Sequence, residues 1–351
     1  MIQRIQIKNM KSVQRLSMDC SNINVLVGTN SSGKTSIIQS ILFVAQNREN
    51  PCGLNGQLIN IGTLEENRCR FSREKYISTS LYLKEKDKEN IAANMLSKEE
   101  DKLNLRSRYE CPEDKLIVGK RMLQYLSCQR VGPQNVYYKN MSLEDIIGNN
   151  GEYAVAYLNQ HGADVLEKEL CRDGGDYTLL GQVNWWLRYI MDAEISTEDI
   201  SGTDFVRAVY RSNELVNMRP GNVGAGISYL ISILITCLSA PRDSVNIIEN
   251  PEIHLHPGAQ AKVCEFFYFI GTAGRQIFIE THSDHIFNGF RAGIATGEME
   301  KNLVNIQFIY LNENHVSEAM KVEIGRMGRI ENQKKDLFDQ FDLDLNRMIG
   351  I

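Results

Sequence analysis

The sequence has no hydrophobic run long enough to cross a lipid bilayer. Its longest nearly apolar stretch, residues 227–240, covers about 14 residues and contains serine and threonine, whereas a spanning helix needs about 20. The N-terminal residues also contain no apolar segment of signal-peptide length. These two absences predict a cytoplasmic protein with no membrane contact.

Paired cysteines and excess positive charge are missing as well. The eight cysteines include no CxxC pair, which argues against a disulfide framework or a cysteine-based zinc site. The net charge of −5 gives no support for nucleic-acid binding. A local basic patch would still suffice, so DNA remains an open partner, with candidate contacts at Arg68, Arg70, Arg73, Lys75, Lys115, Lys120, Arg121 and Arg130.

The length of 351 residues corresponds to about two domains or one large domain with an insertion. Short apolar strands begin the chain, and from residue 221 helices alternate with apolar strands, which predicts an α/β fold with a largely parallel sheet. Mixed charge runs at 84–89 and 98–102 favour a solvated helical insertion. The stretch 144–218 is also expected to be mostly helical, and its two tryptophans, Trp185 and Trp186, are expected to pack beneath the lid. We therefore expect an N-terminal head segment at 1–80, a mostly helical lid at 81–219, a second head segment at 220–325 and a short tail at 326–351.

The strongest motif is a phosphate-binding loop at residues 28–35. Its sequence, Gly-Thr-Asn-Ser-Ser-Gly-Lys-Thr, matches GxxxxGK[ST], with an apolar strand before it and a helical pattern after it. The glycines let successive N–H groups point at phosphate oxygens, and the following helix adds its positive dipole end. Lys34 is expected to neutralise the β- and γ-phosphates, while the Thr35 hydroxyl is expected to ligate Mg²⁺.

A second motif supplies acidic residues. An apolar strand at 245–248 ends in Glu249 and is followed by Asn250, Pro251 and Glu252. Because a buried carboxylate is costly without a cation or donors, Glu249 is predicted to hold Mg²⁺ beside Thr35.

Together these segments resemble the ABC-type P-loop ATPases of the OLD/RecF/SMC-like group. Within that group the chain is most similar to small bacterial AAA family ATPases that carry a C-terminal domain of unknown function. The resemblance is carried by the GxNxSGKTS loop, by the Glu-x-Pro-Glu-x-His-Leu-His-Pro segment, and by residues 54–62, 223–228, 280–285 and 337–342. It implies a P-loop ABC-type ATPase head that uses ATP and Mg²⁺.

The resemblance also implies a head-to-head dimer that encloses ATP. One head's signature segment then contacts the γ-phosphate bound by the other, which assigns Gly224, Gly226 and Ser228 to ATP binding; the Gly-rich start of an apolar helix suits an anion. His282 becomes the switch residue at the γ-phosphate. The full expected nucleotide-binding set in the loop is Asn30, Ser31, Ser32, Gly33, Lys34, Thr35 and Ser36.

Asn250 departs from the wider ABC pattern, in which a glutamate at this position polarises the attacking water. An amide can orient water but cannot accept its proton. Glu252 is the expected substitute base, and slow turnover is the expected consequence.

Relatives of this type occur in bacterial anti-phage systems beside nucleases or other toxic effectors, so the resemblance favours a switch that controls a separate effector. Only about 66 residues follow His285, which is small for a nuclease domain. These residues are expected to form a β-hairpin at 304–324 and a short helical tail. A DNA-repair ATPase and an ATP-locked scaffold remain alternatives. A metal hydrolase using His254 and His256, whose spacing would place two ligands on one face of a strand, is a further alternative.

Overall fold

The computed structural model describes residues 1–48, 50–85, 88–100, 102–112, 115–212 and 215–349. Its strands are β1 (Ile2–Met10), β2 (Val13–Asp19), β3 (Ile23–Val27), β4 (Tyr76–Glu85), β5 (Lys88–Glu99), β6 (Lys102–Tyr109), β7 (Leu123–Leu126), β8 (Tyr137–Tyr138), β9 (Glu194–Asp199), β10 (Phe205–Ser212), β11 (Leu215–Met218), β12 (Val245–Glu249), β13 (Gln276–Glu280), β14 (Val304–Leu311) and β15 (Ser317–Lys321). Its α-helices are α1 (Lys34–Gln46), α2 (Leu64–Asn67), α3 (Ala154–His161), α4 (Leu179–Met191), α5 (Ala225–Leu238), α6 (Pro257–Thr272), α7 (Asp284–Thr296) and α8 (Gln340–Ile349). The predicted α/β class is confirmed.

The chain divides into two compact units. We call residues 2–110 and 280–351 the P-loop unit, and Cys111–Ile279, with Met1, the central unit. The expected boundaries at residues 80, 219 and 325 differ from this division. The strands that follow residue 80 belong with the P-loop unit, and the chain on both sides of residue 219 belongs to the central unit. The chain on both sides of residue 325 belongs to the P-loop unit.

In the P-loop unit, an antiparallel sheet has the strand order β2-β1-β4-β5-β6. Ile5 and Ile7 of β1 are fully buried while Gln6 between them is half-buried, as the two-residue period of a strand requires. Beside this sheet, β3 pairs in parallel with β14, and β14 pairs antiparallel with β15. The predicted hairpin at 304–324 is thereby confirmed.

The sheet also fixes the helix that follows β3. The Asn94 amide of β5 donates to the Phe43 carbonyl at 3.2 Å, and the Tyr109 hydroxyl of β6 donates to the Val44 carbonyl at 2.9 Å. These bonds hold the C-terminal half of α1, so the loop at its N-terminus is mounted on a rigid support.

The helical lid expected at 81–219 is wrong in secondary structure at both of its ends. Strands β4, β5 and β6 occupy residues 76–85, 88–99 and 102–109, and the described residues of the charge runs lie at the ends of these strands, with Lys88 opposite Glu85 and Lys102 opposite Glu99. Residues 86, 87 and 101 lie outside the described residues. At a hairpin tip, neighbouring acids and bases face each other across the strands, so a mixed charge run does not require a helix.

Strands also replace part of the helix expected at 144–218. This stretch contains α3 and α4, but then β9, β10 and β11. In β10, Val206, Ala208 and Tyr210 are buried while Arg207 is exposed, a two-residue period that indicates a strand.

In the central unit, β12 pairs in parallel with β7, and the strand order there is β13-β12-β7. Helix α5 is buried along nearly its whole length. Trp186 is fully buried, with its ring 5.1 Å from Phe266, which confirms the packing role predicted for it. Among the described residues, no helix combines the length and apolarity needed to cross a membrane.

Candidate functional site

The loop between β3 and α1 has a backbone that only glycine permits at two positions. Gly28 has a φ of 147° and Gly33 a φ of 109°. A Cβ atom on Gly28 would lie 2.0 Å from the Ile309 carbonyl oxygen, and one on Gly33 would lie 2.4 Å from Ser317 Oγ. The glycines of the motif are therefore required by the packing of the loop itself.

The first turn of α1 is open to an anion. Gly33 is the N-cap residue, no side chain caps the helix, and no acidic residue lies in the first turn. The free N–H groups of a helix start carry a partial positive charge, and here no side chain of the cap neutralises it. This arrangement fits a phosphate group.

Lys34 is held inside the loop. Its Nζ donates to the carbonyl oxygens of Gly28 and Thr29, both at 2.8 Å, and the residue is 3% exposed. A buried ammonium needs such acceptors. Phosphate oxygens are stronger, charged acceptors, so an entering triphosphate can take over the same lysine.

The Thr35 hydroxyl donates to Glu280 Oε1 at 2.7 Å. Glu280 is 4% exposed and stands at the end of β13, whose five residues are all buried. Both side chains line an open cavity of about 530 Å³, together with Lys11, Ser12, residues 30–36 and the exposed His282. A cavity of this size accommodates a nucleotide-sized ligand.

Side chains behind the loop hold it in place. Ser317 Oγ donates to the Ser32 carbonyl at 2.7 Å and lies 2.7 Å from Ser12 Oγ. Lys11 Nζ donates to Gln39 Oε1 at 2.6 Å, and burial lowers the pKa of Lys11. Within the described part of the chain, the Ser32 hydroxyl is buried without a hydrogen-bond partner, which is consistent with a polar ligand at this loop.

In the central unit, Glu249 ends β12 and is 4% exposed. One carboxylate oxygen accepts from the Tyr125 hydroxyl and the other from the Cys128 backbone N–H, both at 3.0 Å. These donors account for the burial of the carboxylate. An ionised carboxylate has about four lone-pair positions, so after accepting these two hydrogen bonds it can still bind a metal ion.

Arg130 fixes the backbone of the same motif. Its guanidinium donates to the carbonyl oxygens of Glu249, Asn250 (2.5 Å) and Ser127 (3.1 Å). Burial lowers the pKa of Arg130 to about 10, opposed by nearby acids of which Glu252 is the strongest, so the side chain stays charged at neutral pH. At 4% exposure it cannot serve as the DNA contact considered from the sequence.

Asn250 has a φ of 45°, in the left-handed region. Asparagine tolerates this conformation better than glutamate, so the local backbone accounts for the residue type at this position. Glu252, two residues later, is half-buried. It lies in a turn in which the Leu255 N–H donates to the Glu252 backbone carbonyl at 3.0 Å.

The three residues of the predicted signature segment lie in different surroundings. Helix α5 begins at Ala225, with Gly224 exposed as its N-cap and open space where a Cβ would be. A Cβ on Gly226 would lie 2.5 Å from the His254 carbonyl, so this glycine serves close packing. Ser228 is buried, with its hydroxyl 3.5 Å from the Tyr210 hydroxyl, and thus points into the unit.

The histidines of the metal-hydrolase alternative have other contacts. The His254 ring lies 5.1 Å from the Tyr229 ring, and His256 caps α6 by accepting from the Gly258 N–H at 3.3 Å. No group of three or more His, Cys, Asp and Glu residues positioned to hold a metal is found among the described residues.

The predicted site residues thus form two groups. The loop residues 30–36 and His282 lie together in the P-loop unit, while Glu249, Glu252 and the signature segment lie in the central unit. The sequence predicted no role for Glu280 at the phosphate loop, and it suggested Arg130 only as a DNA contact. Glu280 follows a short apolar strand as Glu249 does, and that shared pattern could have identified it.

A protein-family model, the AAA ATPase domain, matches this chain over residues 1–167 and 194–287. Comparison with curated proteins gives no match.

Solved structures with the same fold include SMC head domains. The SMC head bound to the C-winged helix domain of ScpA matches with a TM-score of 0.60 over 92% of this chain and 98% of that chain, at 13% identity. The SMC head with an extended coiled coil bound to the C-terminal domain of ScpA from Pyrococcus furiosus matches with a TM-score of 0.58 over 100% and 99%, also at 13% identity. The head from Thermotoga maritima gives 0.50 over 92% and 99%, at 13% identity. At this identity the likeness shows a shared fold.

Proposed function

We propose that this chain, which belongs to the AAA ATPase domain family, binds ATP with Mg²⁺ and acts as an ATP-gated switch that controls a separate effector protein. The observation that carries the proposal is the phosphate cradle, in which Lys34, the open start of α1 and Thr35 line one cavity. Family membership supports ATP binding and ATPase activity; the switch, its partner and its setting are our proposal.

The residues of the cradle fit a magnesium nucleotide. The N–H groups of the loop and of α1 bind the phosphates, and Lys34 turns from the carbonyls of Gly28 and Thr29 to the β- and γ-phosphates. Thr35 offers a hydroxyl ligand and Glu249 is the carboxylate that the sequence predicts for the metal. The ion supplies neutralisation of phosphate charge.

Hydrolysis needs a group that accepts a proton from water, and Asn250 cannot do so. We assign this role to Glu252, whose half-buried carboxylate follows Asn250 in the same turn. His282, exposed at the cavity, is assigned to the γ-phosphate. Because the usual glutamate is replaced, we expect slow turnover, which suits a switch.

We further propose that ATP closes a head-to-head dimer in which Gly224 of one chain approaches the γ-phosphate held by the other. The exposed Gly224 N-cap, with no side chain in the way, supports this role. The SMC heads of the same fold are bound to ScpA domains, which supports a partner protein for this chain as well. By the family resemblance, we place the protein in the bacterial cytoplasm, with an anti-phage effector such as a nuclease as its partner.

Sedimentation velocity tests the switch. With ATP and Mg²⁺, the wild-type chain and Glu252→Gln are expected to sediment as dimers, and Lys34→Ala as a monomer. ADP should leave all three monomeric. A wild-type chain whose mass does not change with ATP would contradict the dimer proposal.

A further inference from the structure

We propose that Glu280 orients Thr35 for magnesium binding and so acts as a positioning residue of the metal site. This inference rests on the proposed function, since it concerns the ion that accompanies ATP. It assigns a role to a carboxylate of the P-loop unit for which the sequence predicted none.

The first step is the contact itself. Thr35 Oγ1 lies 2.7 Å from Glu280 Oε1, the short distance typical of a hydroxyl that donates to a carboxylate. A threonine hydroxyl has one proton and two lone pairs. With the proton committed to Glu280, the lone pairs are left for other partners, and Thr35 lines the cavity of the phosphate loop.

A hydroxyl can ligate Mg²⁺ only through a lone pair, with its proton directed away from the ion. A carboxylate that accepts this proton fixes the hydroxyl rotamer and makes its oxygen a better ligand. Its negative charge also favours a divalent cation nearby. Glu280 therefore meets the requirements of an outer carboxylate for a hard, oxygen-ligated ion.

The segment around Glu280 is fixed on its C-terminal side. The Thr281 N–H donates to the Leu26 carbonyl of β3 at 3.1 Å. The Ser283 N–H donates to Thr281 Oγ1 at 3.0 Å, and Ser283 Oγ accepts from the Ile286 N–H at the start of α7. Glu280 is thus held next to the strand that leads into the phosphate loop, which a positioning role requires.

Glu280→Gln tests the role, because glutamine keeps the size and an acceptor oxygen but removes the charge. Mn²⁺ replaces Mg²⁺ as the probe, and electron paramagnetic resonance measures its binding to the full chain with a non-hydrolysable ATP analogue. A fluorescent ATP analogue measures nucleotide affinity in EDTA. Asp284→Asn is the matched control, since it removes an exposed carboxylate four positions along the same segment.

We expect Glu280→Gln to weaken Mn²⁺ binding by about 10- to 100-fold, the usual effect of losing an outer partner of a metal ligand. Nucleotide affinity in EDTA is expected to stay within about twofold, and Asp284→Asn to change neither quantity. In a Thr35→Ala background, Glu280→Gln should weaken Mn²⁺ binding by less than about twofold further, because the hydroxyl it orients is gone.

Equal loss of nucleotide affinity with and without Mn²⁺ would overturn the inference in favour of a purely structural bond. An unchanged Mn²⁺ affinity in Glu280→Gln would overturn it too, while leaving the proposed function intact. If Glu280→Gln fails to fold, Glu280→Asp replaces it. Aspartate keeps the charge but is shorter by one methylene group, so Mn²⁺ affinity should fall while nucleotide affinity in EDTA stays the same. A wild-type chain that binds no nucleotide would overturn both proposals.

Discussion

Replacing Arg130 with methionine tests how the acidic motif is held. The change keeps a long side chain but removes the guanidinium that donates to the carbonyls of Ser127, Glu249 and Asn250. Hydrogen bonds from a charged donor contribute about 1.5–3 kcal/mol each. Burying a guanidinium costs several kcal/mol, so removing this charge offsets part of the lost hydrogen-bond energy. We therefore expect the free energy of unfolding to fall by about 3 kcal/mol.

For a unit of this size, a loss of about 3 kcal/mol lowers the Tm by about 6–12 °C. Differential scanning calorimetry measures this shift directly. Arg188→Met is the matched control, because Arg188 is 54% exposed and pairs with Glu194 at the surface, where such pairs contribute about 1 kcal/mol or less. A Tm for Arg130→Met as close to wild type as that of Arg188→Met would refute the account of this residue.

Three further variants probe the phosphate loop and the hydrolytic step. Gly28→Ala drives a Cβ into the Ile309 carbonyl at 2.0 Å, so ATP affinity measured by calorimetry should fall about tenfold or more; unchanged affinity would contradict the cradle geometry. Ser317→Ala removes the donor to the Ser32 carbonyl, a loss of about 1 kcal/mol, and should weaken ATP binding about fivefold in the same assay. Glu252→Gln should lower the rate of phosphate release by about 100-fold or more while nucleotide affinity stays within about twofold; an unchanged rate would exclude Glu252 as the base.

The phosphate loop was predictable because its function and its packing demand the same residues. Gly28 and Gly33 are needed for their φ values and for close approach to Ile309 and Ser317, so the motif survives intact in the sequence. The apolar positions after Lys34 correctly predicted the helix there, and the hairpin expected at 304–324 is also present.

The prediction of a mostly helical insertion was wrong at both ends because it followed the mixed charge runs and not the two-residue hydrophobic period of the strands. The described residues of the charge runs at 84–89 and 98–102 lie at strand ends, and the buried positions of β4 and β10 alternate along the strand. Contacts between residues far apart in the sequence could not be predicted from local sequence patterns either. The contact between Thr35 and Glu280 joins residues 245 positions apart, and that between Arg130 and Glu249 joins residues 119 apart.

The backbone also accounts for the asparagine at position 250. The resemblance to ABC-type ATPases predicts a glutamate at this position, and the φ of 45° at Asn250 is a local conformation that suits asparagine.

The most direct test of the central claim is equilibrium binding of ATP with Mg²⁺ to the purified chain, measured by isothermal titration calorimetry beside Lys34→Ala. We predict one ATP per wild-type chain. The Lys34→Ala chain should bind about 100-fold more weakly, because two charged hydrogen bonds to phosphate contribute about 3 kcal/mol together. Absence of binding to the wild-type chain, or equal affinity in Lys34→Ala, would contradict the assignment of this loop as the ATP site.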